Sequence, residues 1–428
     1  MKVIQKYLTK DNRHTVYKFG KLKVKIKNIL GEIYDEYLNY LFNNQRDKSK
    51  FVPKSDEKYD FSNDNVKIVA FYLPQYHDFP ENVEWFGRGF SEWSNTSKTV
   101  PQYVGHWQPH IPIDVGYYNL NDNTIMERQI ELAKQYGIYG FCFYYYWFSG
   151  EKLMEKPLER FLADKSLDMP FFLFWANEDW TMLWDNGNCR DILHKQELLE
   201  DDAEKFMRDI LPYMKDERYI KINNRPLLVI YQLKIFPYDR YSAFVNRIRD
   251  IAKENGFDDL YILSTIKEGM NFNNLKSVTD KYDIDSMLEF FPQGLLSVIE
   301  LKNQNFINRK FKGKCHDVKK FVNGKKYLYD TDTKVFKGVF PNWDNTPRRC
   351  FQGPNILQMT VEDYKVWLKD IIQWTQNNKP KEEQFVFVNA WNEWAEGAHL
   401  EPDQKFGYGY LQATKEALEE TVRQNCLI

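Results

Sequence analysis

Short apolar runs separated by amphipathic segments dominate the chain from Val66 onward. Most of these runs are continuous rather than alternating, which is typical of strands buried on both faces of a parallel sheet. The eight runs are VKIVAFYLP (66–74), GIYGFCFYYYWF (137–148), PFFLFWA (170–176), RPLLVIYQL (225–233), LYILSTI (260–266), YDIDSMLEF (282–290), TKVFKGVFP (333–341) and QFVFVNAW (384–391). Strands interleaved with helices predict an α/β fold, and eight of them favour a (β/α)8 TIM-like barrel.

Helical spacing fills several of the gaps between the runs. Asn123–Tyr136 has a capping signal at its start, and Val361–Gln376 follows Thr360, a good N-cap residue. Two further helices are predicted at Asp202–Met214 and Ser242–Glu254. The alternative, an open doubly wound sheet, would usually need a glycine-rich turn after an early strand, and no GxGxxG motif is present.

The barrel pattern leaves three segments outside it. Residues 1–65 are predicted to be an N-terminal extension and linker, with a helix over Leu22–Asn43 because apolar residues recur at helical spacing there. Residues 66–428 form the predicted catalytic domain, interrupted by long loop insertions at 75–122 and 292–332.

Charge and composition narrow the class of protein. Lys plus Arg number 59 and Asp plus Glu number 61, so a globally basic nucleic-acid binder is disfavoured. The first residues lack the apolar stretch of a secretory signal, and no run approaches the ~20 apolar residues of a membrane span. The five cysteines are scattered without metal-type spacing. These features predict a cytoplasmic protein.

The segment 302–326 is locally basic, with nine Lys or Arg and one acid, Asp317. The ordinary interpretation is a solvated face; the functional alternative is attraction to an anionic acceptor or a peripheral contact with phosphate headgroups. Asn323–Gly324 within it predicts a type I′ hairpin.

Polar and aromatic residues concentrate where the predicted strands end, which is where barrel enzymes carry their catalytic groups. After the eighth strand, WNEWAEG places Glu393 and Glu396 three residues apart between tryptophans. Glycosidic cleavage typically needs an acid for the leaving oxygen and a second carboxylate as base or nucleophile. The alternative is a solvated turn with two exposed glutamates.

Several ordered motifs closely resemble a known family: VAFYLPQYH, WFGRGFSEWSN, HWQPHIP, GIYGFCFYYYW, FWANEDW, FPNWDNTPRR and WNEWAEGAHLEPD. They are similar to the WbsX-type family, usually labelled glycosyltransferase, which has the fold of glycoside hydrolase family 99, the endo-α-mannosidase group. The resemblance covers roughly residues 66–415. It implies a (β/α)8 catalytic domain and chemistry at a glycosidic bond.

The resemblance also implies roles. Glu396 is expected to be the general acid/base, and Glu393 to deprotonate the sugar 2-hydroxyl, giving a 1,2-anhydro intermediate and net retention. From the residues alone, Glu393 would instead be a nucleophile. The implied function is glycosyl transfer in cell-surface polysaccharide biosynthesis. A retaining α-glycosidase, hydrolase or transglycosidase, and a noncatalytic sugar-binding protein are the alternatives.

Other side chains near strand ends and in the first insertion are candidates for binding an oligosaccharide or polysaccharide substrate. Each has a structural alternative, because strand-end aromatics are often core and charged groups often pair within loops, as Arg348 and Arg349 would near Asp344. The candidates are His77, Glu92, Trp93, Tyr144, Tyr146, Trp147, Trp175, Asn177, Glu178, Trp343, Asp344, Asn392 and Trp394.

No metal or cofactor is predicted. His77, His106 and His110 are irregularly spaced, without a cysteine among them. Two DxD tripeptides, 283–285 and 330–332, match a pattern of metal-dependent nucleotide-sugar transferases, but a DxD is too short to be specific.

Overall fold

The computed structural model of the chain describes residues 5–8, 14–27, 29–44, 46–63, 65–181, 191–267, 270, 272–294, 299–301, 306–308, 310–349 and 353–425.

Eight parallel strands form a closed barrel, which confirms the predicted fold. Each strand pairs in parallel with the next, and β8 pairs with β1 from Phe385↔Lys67 to Val388↔Ala70, so the sheet has no free edge among these strands. The strands are β1 Lys67–Tyr72, β2 Ile138–Phe148, β3 Phe171–Trp175, β4 Arg225–Ile230, β5 Tyr261–Thr265, β6 Ser286–Leu288, β7 Val335–Val339 and β8 Phe385–Val388.

The helices are α1 Ile29–Asn44, α2 Pro80–Phe86, α3 Glu92–Ser97, α4 Asn123–Gln135, α5 Lys156–Ala163, α6 Asp202–Met214, α7 Tyr238–Glu254, α8 Leu275–Tyr282, α9 Val318–Asn323, α10 Thr346–Arg349, α11 Val361–Asn378 and α12 Gly409–Asn425. The predicted caps are present: Asp122 accepts from the backbone N–H of Thr124, and Thr360 from that of Asp363. Across the described ranges, no helix combines the length and apolar character needed to cross a bilayer.

Short strands lie outside the barrel. They are Gln5–Leu8, His14–Phe19, Leu22–Lys27, Glu151–Leu153, Trp180–Thr181, Ile192–His194, Lys221–Ile222, Ile299–Glu300, Lys314–Asp317, Trp343–Asp344, Asn355–Leu357, Asn392–Glu393 and Ala398–His399.

Two local predictions are wrong. The helix predicted over Leu22–Asn43 begins only at Ile29, because Leu22–Lys27 alternates apolar and lysine residues with the period of a strand and pairs with His14–Phe19. The hairpin predicted at Asn323–Gly324 is instead the end of α9, which Asp317 caps by accepting from the N–H of Lys320. Gly324 has φ −81°, whereas a type I′ turn needs positive φ.

The barrel interior is filled by aromatic rings at the end where the site lies. Phe71 of β1 contacts Phe174 of β3 at 5.6 Å between ring centroids and Phe290, which follows β6, at 4.9 Å. Because these strands are not neighbours, the contacts cross the interior. Tyr144 of β2 joins the same layer, 4.9 Å from Phe174. This layer excludes water beneath the carboxyl ends of the strands.

Candidate active site

The loop after β8 is fixed by backbone contacts to the end of β1. Asn392 donates from Nδ2 to the carbonyl of Leu73 at 3.0 Å and accepts from its N–H at 2.7 Å. A single 3-10 turn, Trp394–Glu396, follows and ends at Gly397, whose φ of 64° lies in the left-handed region. A Cβ at Gly397 would lie 3.0 Å from the backbone nitrogen of Asp344, so the loop also needs glycine there for close approach.

One arginine joins three carboxylates from different parts of the chain. Arg348 lies in α10 after β7, and its Nε is 2.8 Å from Oε1 of Glu92 in the first insertion. Its Nη2 is 2.8 Å from Oε1 of Glu393, and its Nη1 is 3.0 Å from Oε1 of Glu396. The side chains of Arg348, Glu92 and Glu393 are at most 7% exposed, while Glu396 retains 19%. The predicted catalytic pair is therefore held on a single guanidinium.

Burial governs the protonation of this cluster. It raises the pKa of Glu393 well above its ordinary value; Arg348 opposes the rise, and Glu396 and Glu92 add to it. Burial likewise raises the pKa of Glu396, against the attraction of Arg348. Two carboxyls with raised pKa values beside one fixed cation are suited to proton transfer near neutral pH.

A cavity of about 970 Å³ opens beside the cluster at the carboxyl ends of the strands. Glu396 and Arg348 form part of its wall, and Glu393 lies next to this wall on the same guanidinium. The volume lies at the upper end of the ~300–1,000 Å³ range of ligand pockets, so it has room for a ligand larger than one sugar ring. The remaining wall includes Glu178, Tyr231, Lys267, Gln293, Trp343 and Arg349.

Several predicted binding residues lie at this cavity or on the cluster. Glu178 and Trp343 line the cavity, and Glu92 is bound to Arg348. Burial and the nearby charge of Glu393 raise the pKa values of Tyr144 and Tyr146, so both remain neutral donors beside the carboxylates.

Asn177, a predicted binding residue, is paired with the backbone of Gln232. Its side chain donates to the carbonyl of Gln232 at 2.7 Å and accepts from the N–H of Gln232 at 2.8 Å, joining the loops after β3 and β4. Gln232 in turn donates from Nε2 to Oε2 of Glu178 at 3.0 Å.

Other predicted binding residues lie away from the cavity. Trp147 and Trp175 pack between the barrel and helix α6, 5.1 and 4.8 Å from the ring of Phe206. Both indoles already donate, Trp147 to Asp209 at 2.9 Å and Trp175 to the carbonyl of Trp147 at 3.1 Å. These positions favour the core alternative for the two tryptophans.

Asp344 is fully engaged by its own surroundings. Oδ2 lies 2.7 Å from Nε2 of His106 and accepts from Nε2 of Gln108 at 2.9 Å, and Oδ1 accepts from the N–H of Thr346 at 3.0 Å. Its partners are thus in the first insertion and at Thr346, two residues on, rather than among the neighbouring arginines. His77 is also buried, against Phe79, and burial lowers its pKa to about 4, so the ring stays neutral.

Trp93 and Trp394, each next in sequence to a glutamate of the cluster, pack against each other at 5.8 Å between rings. Trp93 donates to the carbonyl of Tyr118 at 2.7 Å, and Trp394 donates to Oε2 of Glu401 at 2.6 Å. Burial raises the pKa of Glu401 to about 7. The two indoles thus tie the segments that carry Glu92 and Glu393 to each other and to the loops of Tyr118 and Glu401.

Sequence reasoning missed the part of the cavity formed after β4, β5 and β6. Tyr231, Gln232, Lys267 and Gln293 lie in the strand ends YQ, IKEG and FFPQG, so their positions were an available signal. Which of these side chains turn toward the cavity depends on loop conformation, which strand patterns do not fix.

The two DxD tripeptides are engaged in structural contacts. Asp283 and Asp285 pair with Arg249 at 3.0 and 3.2 Å, and Asp332 accepts from the N–H of Lys276 at 3.0 Å. Within the described ranges, no group of three or more His, Cys, Asp or Glu side chains is arranged to hold a metal ion.

The closed barrel with polar groups at the carboxyl ends of its strands places the chain in the class of (β/α)8 barrels. Among solved structures, a glycoside hydrolase-like protein has a TM-score of 0.53 at 13% identity, covering 86% of this chain and 98% of that one. A GH99 endo-α-mannosidase from Bacteroides thetaiotaomicron, in complex with bis-tris propane, has a TM-score of 0.51 at 13% identity, covering 84% and 99%. These similarities concern the fold.

The chain belongs to the WbsX glycosyltransferase family, whose sequence profile, described as Glycosyltransferase WbsX, matches residues 68–414. It is also 38% identical over 351 residues to the uncharacterized protein WxcX of Xanthomonas campestris pv. campestris, in strains B100 and ATCC 33913. The match covers 82% of this chain and 49% of WxcX, so the chain spans about half the length of these relatives.

Proposed function

We propose that the protein is a WbsX-type glycosyltransferase that forms glycosidic bonds with retention during assembly of a cell-surface polysaccharide. The observation that carries the proposal is the pair Glu393 and Glu396 on one guanidinium, with Glu396 at the wall of a large polar cavity. Family membership supports glycosyl transfer.

In the proposed first step, Glu396 protonates the leaving oxygen while Glu393 removes the proton from the sugar 2-hydroxyl. The freed 2-oxygen attacks C1 as the bond to the leaving group breaks, giving a 1,2-anhydro sugar. In the second step, Glu396 takes the proton of the acceptor hydroxyl, whose oxygen attacks C1, and Glu393 returns its proton to the 2-oxygen. Two inversions at C1 give net retention.

The raised pKa values of both carboxyls support proton exchange in each step, and the separate roles follow from the family resemblance. A carboxyl with a raised pKa is protonated when the leaving oxygen needs a proton, and it is a stronger base when deprotonated. Because Arg348 contacts both groups, it stabilises whichever carboxylate is ionised at each step. A noncatalytic sugar-binding protein would not need two carboxyls with pKa values raised by burial.

A hydrolase is the second candidate, and the fold similarity to a GH99 endo-α-mannosidase favours it. The same residues would then act on an α-linked oligosaccharide, with water in place of the acceptor hydroxyl. A transglycosidase would use a second glycan as the acceptor.

The test is to incubate the purified protein with panels of oligosaccharides and sugar nucleotides and to identify products by mass spectrometry. Consumption of a sugar nucleotide with a longer glycan supports the transferase, and release of reducing ends without a nucleotide supports the hydrolase. Glu396→Gln should lower either activity strongly, while Glu362→Gln, at an exposed position of α11, should leave it unchanged. Products from neither panel would contradict the proposed function.

A further inference from the structure

Two cations, Lys267 and Arg349, lie in the cavity wall. Within the described part of the chain, neither Lys267 nor Arg349 has a carboxylate oxygen at ion-pair distance, although Arg348 beside them has three. Nζ of Lys267 lies over the ring of Tyr231, 2.9 Å from its centroid, and donates to Oε1 of Gln293 at 3.1 Å. Both of these contacts are with neutral groups.

The neighbouring side chains hold Lys267 in place without neutralising it. Gln293 donates from Nε2 to the hydroxyl of Tyr231 at 2.5 Å, so the platform under the ammonium is fixed. Burial lowers the pKa of Lys267 to about 7, and the more distant charge of Glu178 only partly opposes this. Among the described residues, the ammonium therefore has only the distant charge of Glu178 to offset it.

Arg349 follows Arg348 in the chain and lies in the same cavity wall as Glu396. Its guanidinium is exposed in the cavity wall, and its charge contributes to lowering the pKa of Glu396 against the effect of burial. Lys267 and Arg349 thus present positive charge along the wall that runs from Glu178 to Glu396. Arginine supplies a planar fork of donors suited to carboxylate or phosphate, and lysine supplies a compact charge.

We propose that this cavity binds an anionic group of the ligand, with Lys267 and Arg349 as its cationic contacts. The inference deepens the proposed function and rests on it for the identity of the ligand. The group is either a phosphate, as in the leaving group of an activated glycosyl donor, or a carboxylate, as in an acidic sugar of the glycan. Both sources need the same two cations, because each presents an oxyanion.

The test is isothermal titration calorimetry of the full chain with inorganic phosphate, D-glucuronate and D-glucose. We expect the wild-type protein to bind phosphate or D-glucuronate more tightly than the uncharged D-glucose. Lys267→Ala and Arg349→Ala should each weaken anion binding by about tenfold, because each removes one charge-assisted contact. Lys267→Arg should keep most of it.

Lys234→Ala is the matched control, because it removes the same charge from an exposed lysine of the neighbouring cavity without touching this one. Binding of phosphate but not D-glucuronate would assign the site to a phosphorylated donor, and the reverse result to an acidic sugar. The inference is overturned if the wild-type protein binds neither anion, or if Lys267→Ala and Arg349→Ala bind as the control does.

Calorimetry reads binding without turnover, so this inference and the proposed function fail separately. A protein that transfers or hydrolyses neutral sugars but binds no anion overturns the inference alone. One that binds the anions through Lys267 and Arg349 but acts on no glycan overturns the proposed function alone.

Discussion

Replacing Arg348 by methionine tests the central electrostatic feature of the site. Methionine keeps much of the apolar volume but removes the only group that contacts all three of Glu92, Glu393 and Glu396 within the described ranges. Removing one partner of a buried ion pair typically costs ~3–5 kcal/mol of folding free energy, because the remaining charge stays desolvated. With three carboxylates affected, we expect about 4–5 kcal/mol near pH 8.

The size of this effect should depend on pH in a defined direction. The pKa values of Glu393 and Glu396 are already raised above the ordinary value of 4.5. Between the ordinary and the raised pKa values, the folded protein therefore binds more protons than the unfolded chain. Stability from these groups therefore falls as pH rises, and losing Arg348 raises their pKa values further. At about pH 5 the carboxyls of the variant are largely protonated, and the destabilisation should be smaller than at about pH 8.

The assay is urea unfolding of wild type and variant at both pH values. Arg218→Met is the control, because Arg218 lies 2.9 Å from Oδ1 of Asp216. Burial alone would raise the pKa of Asp216, but hydrogen bonds from Arg218 and Lys165 outweigh it and lower that pKa. Asp216 is therefore ionised at both pH values, and the control's loss should be similar at each. An Arg348→Met loss that is equal at both pH values, or larger at the lower one, would refute the reasoning.

Three further outcomes are expected. Glu396→Gln should slow substrates with poor leaving groups most, whereas Glu393→Gln should slow all substrates alike. The measurement is kcat/KM across an aryl glycoside series, and uniform effects in both variants would contradict the assignment of Glu396 as the acid. EDTA should leave activity intact, because the proposed steps use only carboxyls. Loss of activity in EDTA and its recovery with Mn²⁺ would contradict this expectation. Thr360→Ala should lower the free energy of unfolding by about 1 kcal/mol through loss of the α11 cap; an unchanged urea midpoint would contradict that.

The barrel could be predicted because buried parallel strands are continuous apolar runs, and all eight runs proved to be strands. The helix predicted over Leu22–Asn43 shows the limit of such patterns. Lysines alternate with Leu22, Val24 and Ile26, which fits a strand better than a helix. Apolar residues at mixed spacing obscured the change from the strand period to the helical period. Glu393 and Glu396 could be proposed because they are adjacent in the chain and follow a strand.

Their partner could not be identified in the same way. Arg348 is 45 residues from Glu393 and 256 from Glu92, and nothing in the local pattern says that its side chain turns away from nearby Asp344. Lys267 and Gln293 lie at predicted strand ends, but their convergence could not be predicted because it depends on how separate loops pack. Positions at strand ends were predictable, whereas pairings between loops were not.

The bridge at Arg348 also bears on how the chain can be divided. The cluster brings together distant parts of the chain: Glu92 is near the beginning of the barrel, Arg348 is late in it, and Glu393 and Glu396 are at its end. A cut anywhere between residues 97 and 346 therefore separates the acid pair from Glu92. Two such fragments would each carry an incomplete charge cluster, and only their reassociation would restore it. The protein is therefore a natural candidate for fragment complementation, in which recovered turnover reports the rejoining of the two halves.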